Sequence, residues 1–206
     1  NFGGVYASHL AFAKVAANRY ISETNQTKDL IGLMRFNADD DTVLSSPTLN
    51  KNLVQSSVNT IPQTQSKTTF FDALNTAISE LNATSANLKV IVLISDGEDT
   101  TTSYIDFPNP IQLLSDFKGN GGIVICVGCR ASGEGYALLS NLATGGFFIN
   151  SYPGVDNATL GLMSGLKGYI CAGNCTPAGD VIANKGQLNY TGFQNWNVIG
   201  GFVDLQ

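Results

Sequence analysis

Charged side chains are scarce in this sequence. They make up 13% of the 206 residues, with 11 Lys and Arg against 16 Asp and Glu and a formal net charge of −5. A basic surface supplies most of the affinity of nucleic-acid-binding proteins, so we expect no nucleic-acid partner. No apolar run reaches the ~18–20 residues of a membrane span, and we expect none. Thr, Ser, Asn and Gly replace Lys and Glu, which favours an extracellular, cell-surface or virion-surface protein.

Histidine is almost absent as well. His9 is the only one, and it falls within a predicted helix. Ser-His-Asp and Cys-His catalysis therefore have little to work with. The sequence also contains neither a Gly-x-Ser-x-Gly elbow nor a Gly-x-x-x-x-Gly-Lys phosphate loop. We therefore expect that the protein is not an enzyme.

The four cysteines form two close pairs, Cys126 with Cys129 and Cys171 with Cys175. All four are disulfide candidates, and four cysteines allow three connectivities. The two pairs could instead bind zinc. However, Cys126 lies inside a predicted strand, whereas zinc knuckles place both ligands in turns. We favour a Cys171–Cys175 disulfide and leave the state of the first pair open.

Helical and extended patterns alternate through most of the chain. Helices are predicted at 7–21, 50–60, 70–82, 110–118, 134–143 and 156–168, and strands at 30–36, 42–46, 90–94, 123–127 and 146–149. The run 90–94 is apolar without alternation, which indicates a central parallel strand that is buried on both faces. The order predicts an α/β fold with a doubly wound, mostly parallel sheet flanked by helices.

The pattern changes near residue 170. Residues 171–206 contain turn-forming and aromatic residues but no helical period, and they are too few for an independent core. We therefore assign 1–170 to the α/β domain and 171–206 to a small β-type C-terminal extension, or to the start of a second domain.

Asp96 lies two positions after the apolar run 90–94, and Thr68 lies two positions before the helix 70–82. Ligands of open α/β sheets bind at the carboxyl ends of the strands. A small hard cation prefers carboxylate, hydroxyl and water oxygens. The two residues are therefore candidate metal ligands, although Asp96 taken alone is more typical of a turn or helix-capping carboxylate.

Several segments together resemble the von Willebrand factor type A domain. These are LIGLMRFNADDDTVL, SKTTFFDAL, VIVLISDGED, and GGIVICVG followed by LLSNLATGGFFIN, all in the order of that family. The resemblance implies a Rossmann-like fold and an adhesion module that binds a protein or glycan on a cell surface. It also implies Mg²⁺ (or Ca²⁺ or Mn²⁺) bound by Thr68 and Asp96, with Glu98 and Asp99 on the ligand-binding rim.

The family's first strand and its Asp-x-Ser-x-Ser motif do not occur in this sequence. A central strand with five large apolar side chains at ~2 kcal/mol each would contribute roughly 10 kcal/mol of burial, comparable with a domain's net stability of ~5–15 kcal/mol. Either cleavage or disorder has removed the strand, or it is supplied by an upstream segment, by a neighbouring chain, or by the local substitute FVDLQ at the C-terminus. The metal is expected only if the missing motif is supplied.

A second function remains open on the same observations. The protein could be a structural or assembly component of a fibre, pilus or virion surface that uses the fold without a functional metal site. The β-rich C-terminal range favours this alternative.

Overall fold

The computed structural model describes residues 3–36, 42–62, 70–97, 110–129, 131, 133–144, 148–151 and 201–205. The helices in these ranges are α1 (Gly3–Glu23), α2 (Lys51–Thr60), α3 (Phe70–Asn82), α4 (Pro110–Gly119) and α5 (Gly133–Leu142). The strands are β1 (Ile31–Arg35), β2 (Thr42–Thr48), β3 (Val90–Ser95), β4 (Ile123–Cys129), β5 (Phe148–Ser151) and β6 (Gly201–Leu205). Each predicted element up to residue 151 is confirmed in type, while the predicted helix 156–168 lies outside the described residues.

The strands form one sheet in the order β2-β1-β6-β3-β4-β5. The edge strand β2 pairs antiparallel with β1, and every other neighbouring pair is parallel. Pro47 lies within β2, where an edge position tolerates the missing N–H. The predicted doubly wound, mostly parallel α/β sheet is confirmed.

The sheet separates two hydrophobic layers. Val90, Val92 and Ile94 of β3 pack with α1 and α2, whereas Ile91 and Leu93 pack with α3, α4 and α5. All six residues of β3 are buried. The period-2 alternation of a strand delivers successive side chains to opposite faces, so an unbroken apolar run is what a strand between two helical layers requires.

The helices contribute one apolar face each. Leu10, Ala13, Ala17 and Ile21 share one face of α1 by their helical spacing, and all four are buried. The amphipathic α3 buries Ala73, Leu74, Ala77, Ile78 and Leu81, together with its first residue Phe70. These small and branched residues at helical spacing let the two helices lie close to opposite faces of the sheet.

The centre of the sheet is completed from the far end of the chain. Strand β6 lies between β1 and β3 and runs parallel to both. Gly201–Leu205 thus takes a central position in the sheet, and whether it substitutes for the family's first strand stays a prediction. This central position corrects the assignment of Gly201–Leu205 to an appendage, because these residues belong to the main sheet. The domain boundary at residue 170 stays a prediction, since 152–200 lie outside the described residues.

Candidate functional site

Asp96 lies where the sequence predicts it, directly after β3 at the carboxyl edge of the sheet. Its side chain is half-buried, and the backbone turns sharply at Gly97, which has φ = +82°. The N–H of Gly97 donates to the hydroxyl Oγ of Ser95 at 3.1 Å. Because a positive φ disfavours residues with a Cβ, the Ser-Asp-Gly order determines how the chain leaves the strand and where the carboxylate lies.

The turn after Asp96 packs against the start of α5 through two glycines. A Cβ built on Gly97 would lie 2.7 Å from the Cα and carbonyl carbon of Gly135, and one built on Gly135 would lie 2.8 Å from the carbonyl oxygen of Asp96. Real Cβ atoms do not approach other atoms this closely. The two backbones therefore touch directly, and α5 supports the turn that carries the carboxylate.

A second support lies further along the same edge, after β4. The side-chain Oδ1 of Asn150 accepts the N–H of Ala131 at 3.0 Å, and its Nδ2 donates to the carbonyl oxygen of Ala131 at 2.8 Å. Ala131 is 2% exposed, so both of its backbone groups depend on protein partners. Asn150 of β5 therefore holds the chain that connects β4 to α5.

The start of α3 reaches the same edge on the other side of Asp96. Phe36 directly follows β1 and packs on Phe70, the first residue of α3, with ring centroids 5.3 Å apart. Both side chains are almost completely buried. Thr68 itself lies outside the described residues, but it precedes Phe70 by only two positions. The Phe36–Phe70 contact thus brings the beginning of α3 to the edge on which Asp96 lies.

The described residues include one side chain, that of Asp96, of the kind that a hard cation prefers. Mg²⁺ binds six oxygens in octahedral geometry, usually including several waters and one or two carboxylates, and the half-buried carboxylate of Asp96 meets one of these requirements. Within the described ranges there is no cluster of three or more His, Cys, Asp or Glu residues. Further protein ligands would have to come from residues beyond those ranges. Glu98 and Asp99 also lie outside the described residues, and their predicted roles stay predictions.

The two cysteines of β4 are reduced and buried. Cys126 faces the layer of α3, α4 and α5, while Cys129 faces the layer of α1 and α2, so the sheet separates their thiols. Burial raises the pKa of the Cys126 thiol to about 12, although the nearby Lys118 opposes this. A three-residue step along a strand points these two cysteines to opposite faces, so they do not form a disulfide with each other in this structure. Cys171 and Cys175 lie outside the described residues.

A shallow cavity of about 360 Å³ lies at the opposite, amino edge of the sheet. It is lined by residues that include Asn82, Lys89, Asp116 and Asn120. Lys89 directly precedes β3, whereas Asp96 directly follows it. This cavity is therefore separate from the candidate metal centre.

Residues 4–153 match the von Willebrand factor type A domain. The match spans more than two thirds of the 206 residues, and the chain belongs to this family. Comparison with curated proteins found no match. In the part of the chain that the structure describes, no helix combines the length and the apolar character needed to cross a membrane.

Solved structures with the same fold include three of different origin. An aerotolerance-related membrane protein from Bacteroides fragilis, with multiple mutations to serines, is 17% identical, with a TM-score of 0.57, covering 75% of this chain and 85% of that one. The VWA domain of SpRpn10 is 15% identical, with a TM-score of 0.57 and coverages of 76% and 82%. Manganese-loaded TRAP protein from Plasmodium vivax is 14% identical, with a TM-score of 0.55 and coverages of 72% and 62%. At these identities the likeness establishes the fold alone.

Sequence reasoning predicted the position of Asp96 after β3 but missed the residues that pack around this turn. Gly135 lies in the first turn of α5, and a glycine inside a helical pattern can signal a close backbone approach. Asn150 gave no such signal, because its role depends on a backbone segment that follows a different strand.

Proposed function

We propose that this chain is a ligand-binding module, extracellular or surface-exposed, whose metal-ion-dependent adhesion site uses Asp96 and Thr68 as protein ligands. The main observation behind the proposal is that Asp96 lies at the carboxyl edge of the sheet. The Phe36–Phe70 contact brings the start of α3 to the same edge. The manganese in the TRAP structure, which has the same fold, supports a divalent ion such as Mg²⁺, Ca²⁺ or Mn²⁺.

The proposed role of the protein is to position oxygen ligands at that edge. A bound divalent ion would supply an open coordination position for an oxygen of the partner, such as a carboxylate of a protein or a hydroxyl of a glycan. The Gly97–Gly135 contact holds the turn after Asp96, and Glu98 and Asp99 would add negative charge on the rim. The site has no catalytic role in this proposal, because binding alone accounts for these groups.

Thermal unfolding with and without divalent ions tests the metal site. A ligand that binds only the folded state stabilises it by RT ln(1 + [L]/Kd), ~2.7 kcal/mol at 100 times Kd. With the Asp-x-Ser-x-Ser motif supplied by an upstream segment or a neighbouring chain, we expect Mg²⁺ or Mn²⁺ to raise the Tm relative to EDTA, and we expect Asp96→Asn and Thr68→Ala to reduce or abolish this shift. Asp116→Asn, which changes an exposed carboxylate on α4, is the matched control and should keep the shift. An equal shift in Asp96→Asn and in the parent chain would refute the assignment.

The alternative function, a fibre, pilus or virion-surface component without a working metal site, is favoured by one observation. A strand from the far end of the chain completes the middle of the sheet, and strand donation between neighbouring chains uses the same kind of pairing. This alternative predicts a Tm that depends on chain concentration and is unchanged by a chelator.

A further inference from the structure

Strand β6 lies between two parts of the sheet that do not pair with each other through any other strand within the described residues. Strands β2 and β1 lie on one side of it, and β3, β4 and β5 lie on the other. On the β3 side five residue pairs are in register, from Val90↔Gly201 to Ile94↔Leu205. On the β1 side the pairs are Gly32↔Phe202 and Leu33↔Val203. The groove between β1 and β3 is therefore a site shaped for one extended parallel segment.

The covalent chain does not tie β6 closely to either neighbour. Both neighbours precede it by more than 100 positions, and residues 152–200 separate it from β5. Their contour length, at most about 3.4 Å per residue, is far greater than the ~5 Å between adjacent strands. Chain length therefore allows β6 to enter the groove of its own copy or that of another copy.

We propose that the groove between β1 and β3 is a strand-acceptor site for a second copy of this chain, and that two copies exchange β6 reciprocally. A second copy is the occupant because it presents the same Gly-Phe-Val-Asp-Leu segment, whose register with both walls of the groove is already seen. Exchange of an identical element creates no new interface chemistry within the sheet and closes as a symmetric dimer. The proposal deepens the assembly function above and requires no metal ion.

The concentration of the protein determines whether β6 fills the groove of its own copy or that of a second copy. A segment attached by a linker competes as an intramolecular ligand, with an effective concentration that reaches the millimolar range for short linkers and falls as the linker lengthens. The own-copy form is therefore favoured in dilute solution. The exchanged form gains as the concentration of chains approaches that value, as it would in a fibre or a crowded surface layer.

Cross-linking between full-length chains tests the exchange. One variant carries Ile91→Cys and another carries Phe202→Cys, because these positions are in register and adjacent strands lie within the Cα separation that a disulfide spans. The two variants are mixed, held under mild oxidising conditions over a tenfold range of concentration, and analysed by non-reducing electrophoresis and mass spectrometry. We expect a mixed disulfide dimer whose fraction rises several-fold across that range.

The control separates exchange from random oxidation. A Val92→Cys chain mixed with the Phe202→Cys chain is one residue out of register, which places the two side chains on opposite faces, and it should give only the background of the parent chain. A second pair, Leu33→Cys with Val203→Cys, tests the other wall of the groove if Ile91→Cys prevents folding.

A chain that carries both cysteines of a pair completes the test. If its disulfide closes within one molecule while mixed chains give no dimer at any concentration, β6 serves only its own copy and the proposal is wrong. If the bond closes neither within nor between chains for either pair, β6 does not occupy the groove and the proposal is also wrong. A titration of Tm with Mg²⁺ on the same samples reports the metal site separately.

Discussion

Two glycines with nearly equal φ angles have different surroundings. Gly97 has φ = +82° and touches the backbone of Gly135, whereas Gly121 has φ = +85° with nothing within 4 Å of a built Cβ. The turn after Asp96 therefore depends on both a left-handed conformation and the absence of a side chain. The turn at Gly121 depends on the conformation alone.

We predict that Gly97→Ala destabilises the protein more than Gly121→Ala does. A left-handed residue with a Cβ costs about 1–2 kcal/mol, and forcing atoms into a packed site adds about 1–3 kcal/mol. Urea unfolding should show a loss of about 2–5 kcal/mol for Gly97→Ala and about 1–2 kcal/mol for the Gly121→Ala control. Equal losses of unfolding free energy in the two variants would mean that the close contact between Gly97 and Gly135 does not add to the cost of Gly97→Ala.

Asp29 is a buried carboxyl in the turn between α1 and β1. Its Oδ2 accepts the N–H of Asn25 at 2.6 Å. Burial raises its pKa above the ordinary value of 3.8, and this effect outweighs the hydrogen bond from Asn25 and the attraction of Lys51 and Lys28. The folded protein consequently holds this proton more tightly than the unfolded chain does.

We predict that Asp29 makes the protein less stable as the pH rises through its folded pKa. The contribution of this bound proton to the free energy of unfolding is fully present below pH 3.8. It is lost as the carboxyl ionises. Asp29→Asn, which keeps an oxygen acceptor but cannot ionise, should lack this decrease in the free energy of unfolding. Urea unfolding across mildly acidic pH measures it, with Asp116→Asn as the control. An unchanged pH profile in Asp29→Asn would contradict the assignment.

At the scale of elements, side-chain hydrogen bonds connect segments that the pairing of strands does not connect. Thr144, just beyond α5, is one example: its backbone N–H donates to the carbonyl oxygen of Val124 at 2.8 Å, and its Oγ1 accepts the N–H of Val124 at 2.9 Å. Asn150 forms the corresponding pair with Ala131 at the carboxyl edge. Both residues let the chain around α5 close against β4 without a further strand.

We predict that Asn150→Ala costs about 2–6 kcal/mol of unfolding free energy. The substitution leaves the N–H and the carbonyl of the buried Ala131 without partners, and each unsatisfied buried group costs about 1–3 kcal/mol. Asn120→Ala, at an exposed position after α4, should cost much less. A loss below about 0.5 kcal/mol, typical of surface substitutions, would show that water replaces the amide.

The elements were largely predictable because their signals are local. A helical spacing of apolar residues predicts the buried faces of α1 and α3. A continuous apolar run without that spacing predicts the buried strand β3. Asp96 was predictable for a related reason, because the end of a central strand is a position that sequence reveals. The role of β6 was not settled by the sequence, because a five-residue segment carries no indication of which distant strands it will join. Asn150 and Gly135 were missed for the same reason, since each acts on a segment remote in sequence.

At the scale of the whole molecule, both hydrophobic layers extend across β6. The layer beside α1 contains Ile31 and Leu33 of β1 as well as Val90, Val92 and Ile94 of β3. Strands β1 and β3 are not adjacent in the sheet, because β6 lies between them. The stability of either half of the sheet should therefore depend on the last strand of the chain.

We predict that Val203→Pro weakens the entire fold. Proline removes a backbone donor and is confined to edge strands and bulges in sheets, while residue 203 lies opposite Leu33 on one side and Val92 on the other. We expect a loss of about 3 kcal/mol or more from the missing hydrogen bond and the clash of the ring. Circular dichroism measures stability, and hydrogen exchange should show faster exchange in β1 and β4 together.

Val203→Ala is the matched control, because it shortens the side chain but keeps the backbone N–H. It should be clearly less damaging than Val203→Pro. Faster exchange confined to β1 in the proline variant, with β4 unchanged, would show that the two halves of the sheet unfold independently.

The proline in β2 has a consequence for how sheets of different molecules meet. Pro47 offers no N–H to an approaching strand, and the opposite margin, β5, is only four residues long. Short margins and margins interrupted by proline are poor templates for open-ended, side-by-side stacking of the kind that builds amyloid. Within the described part of the chain, lateral growth is thus discouraged at both edges of the sheet.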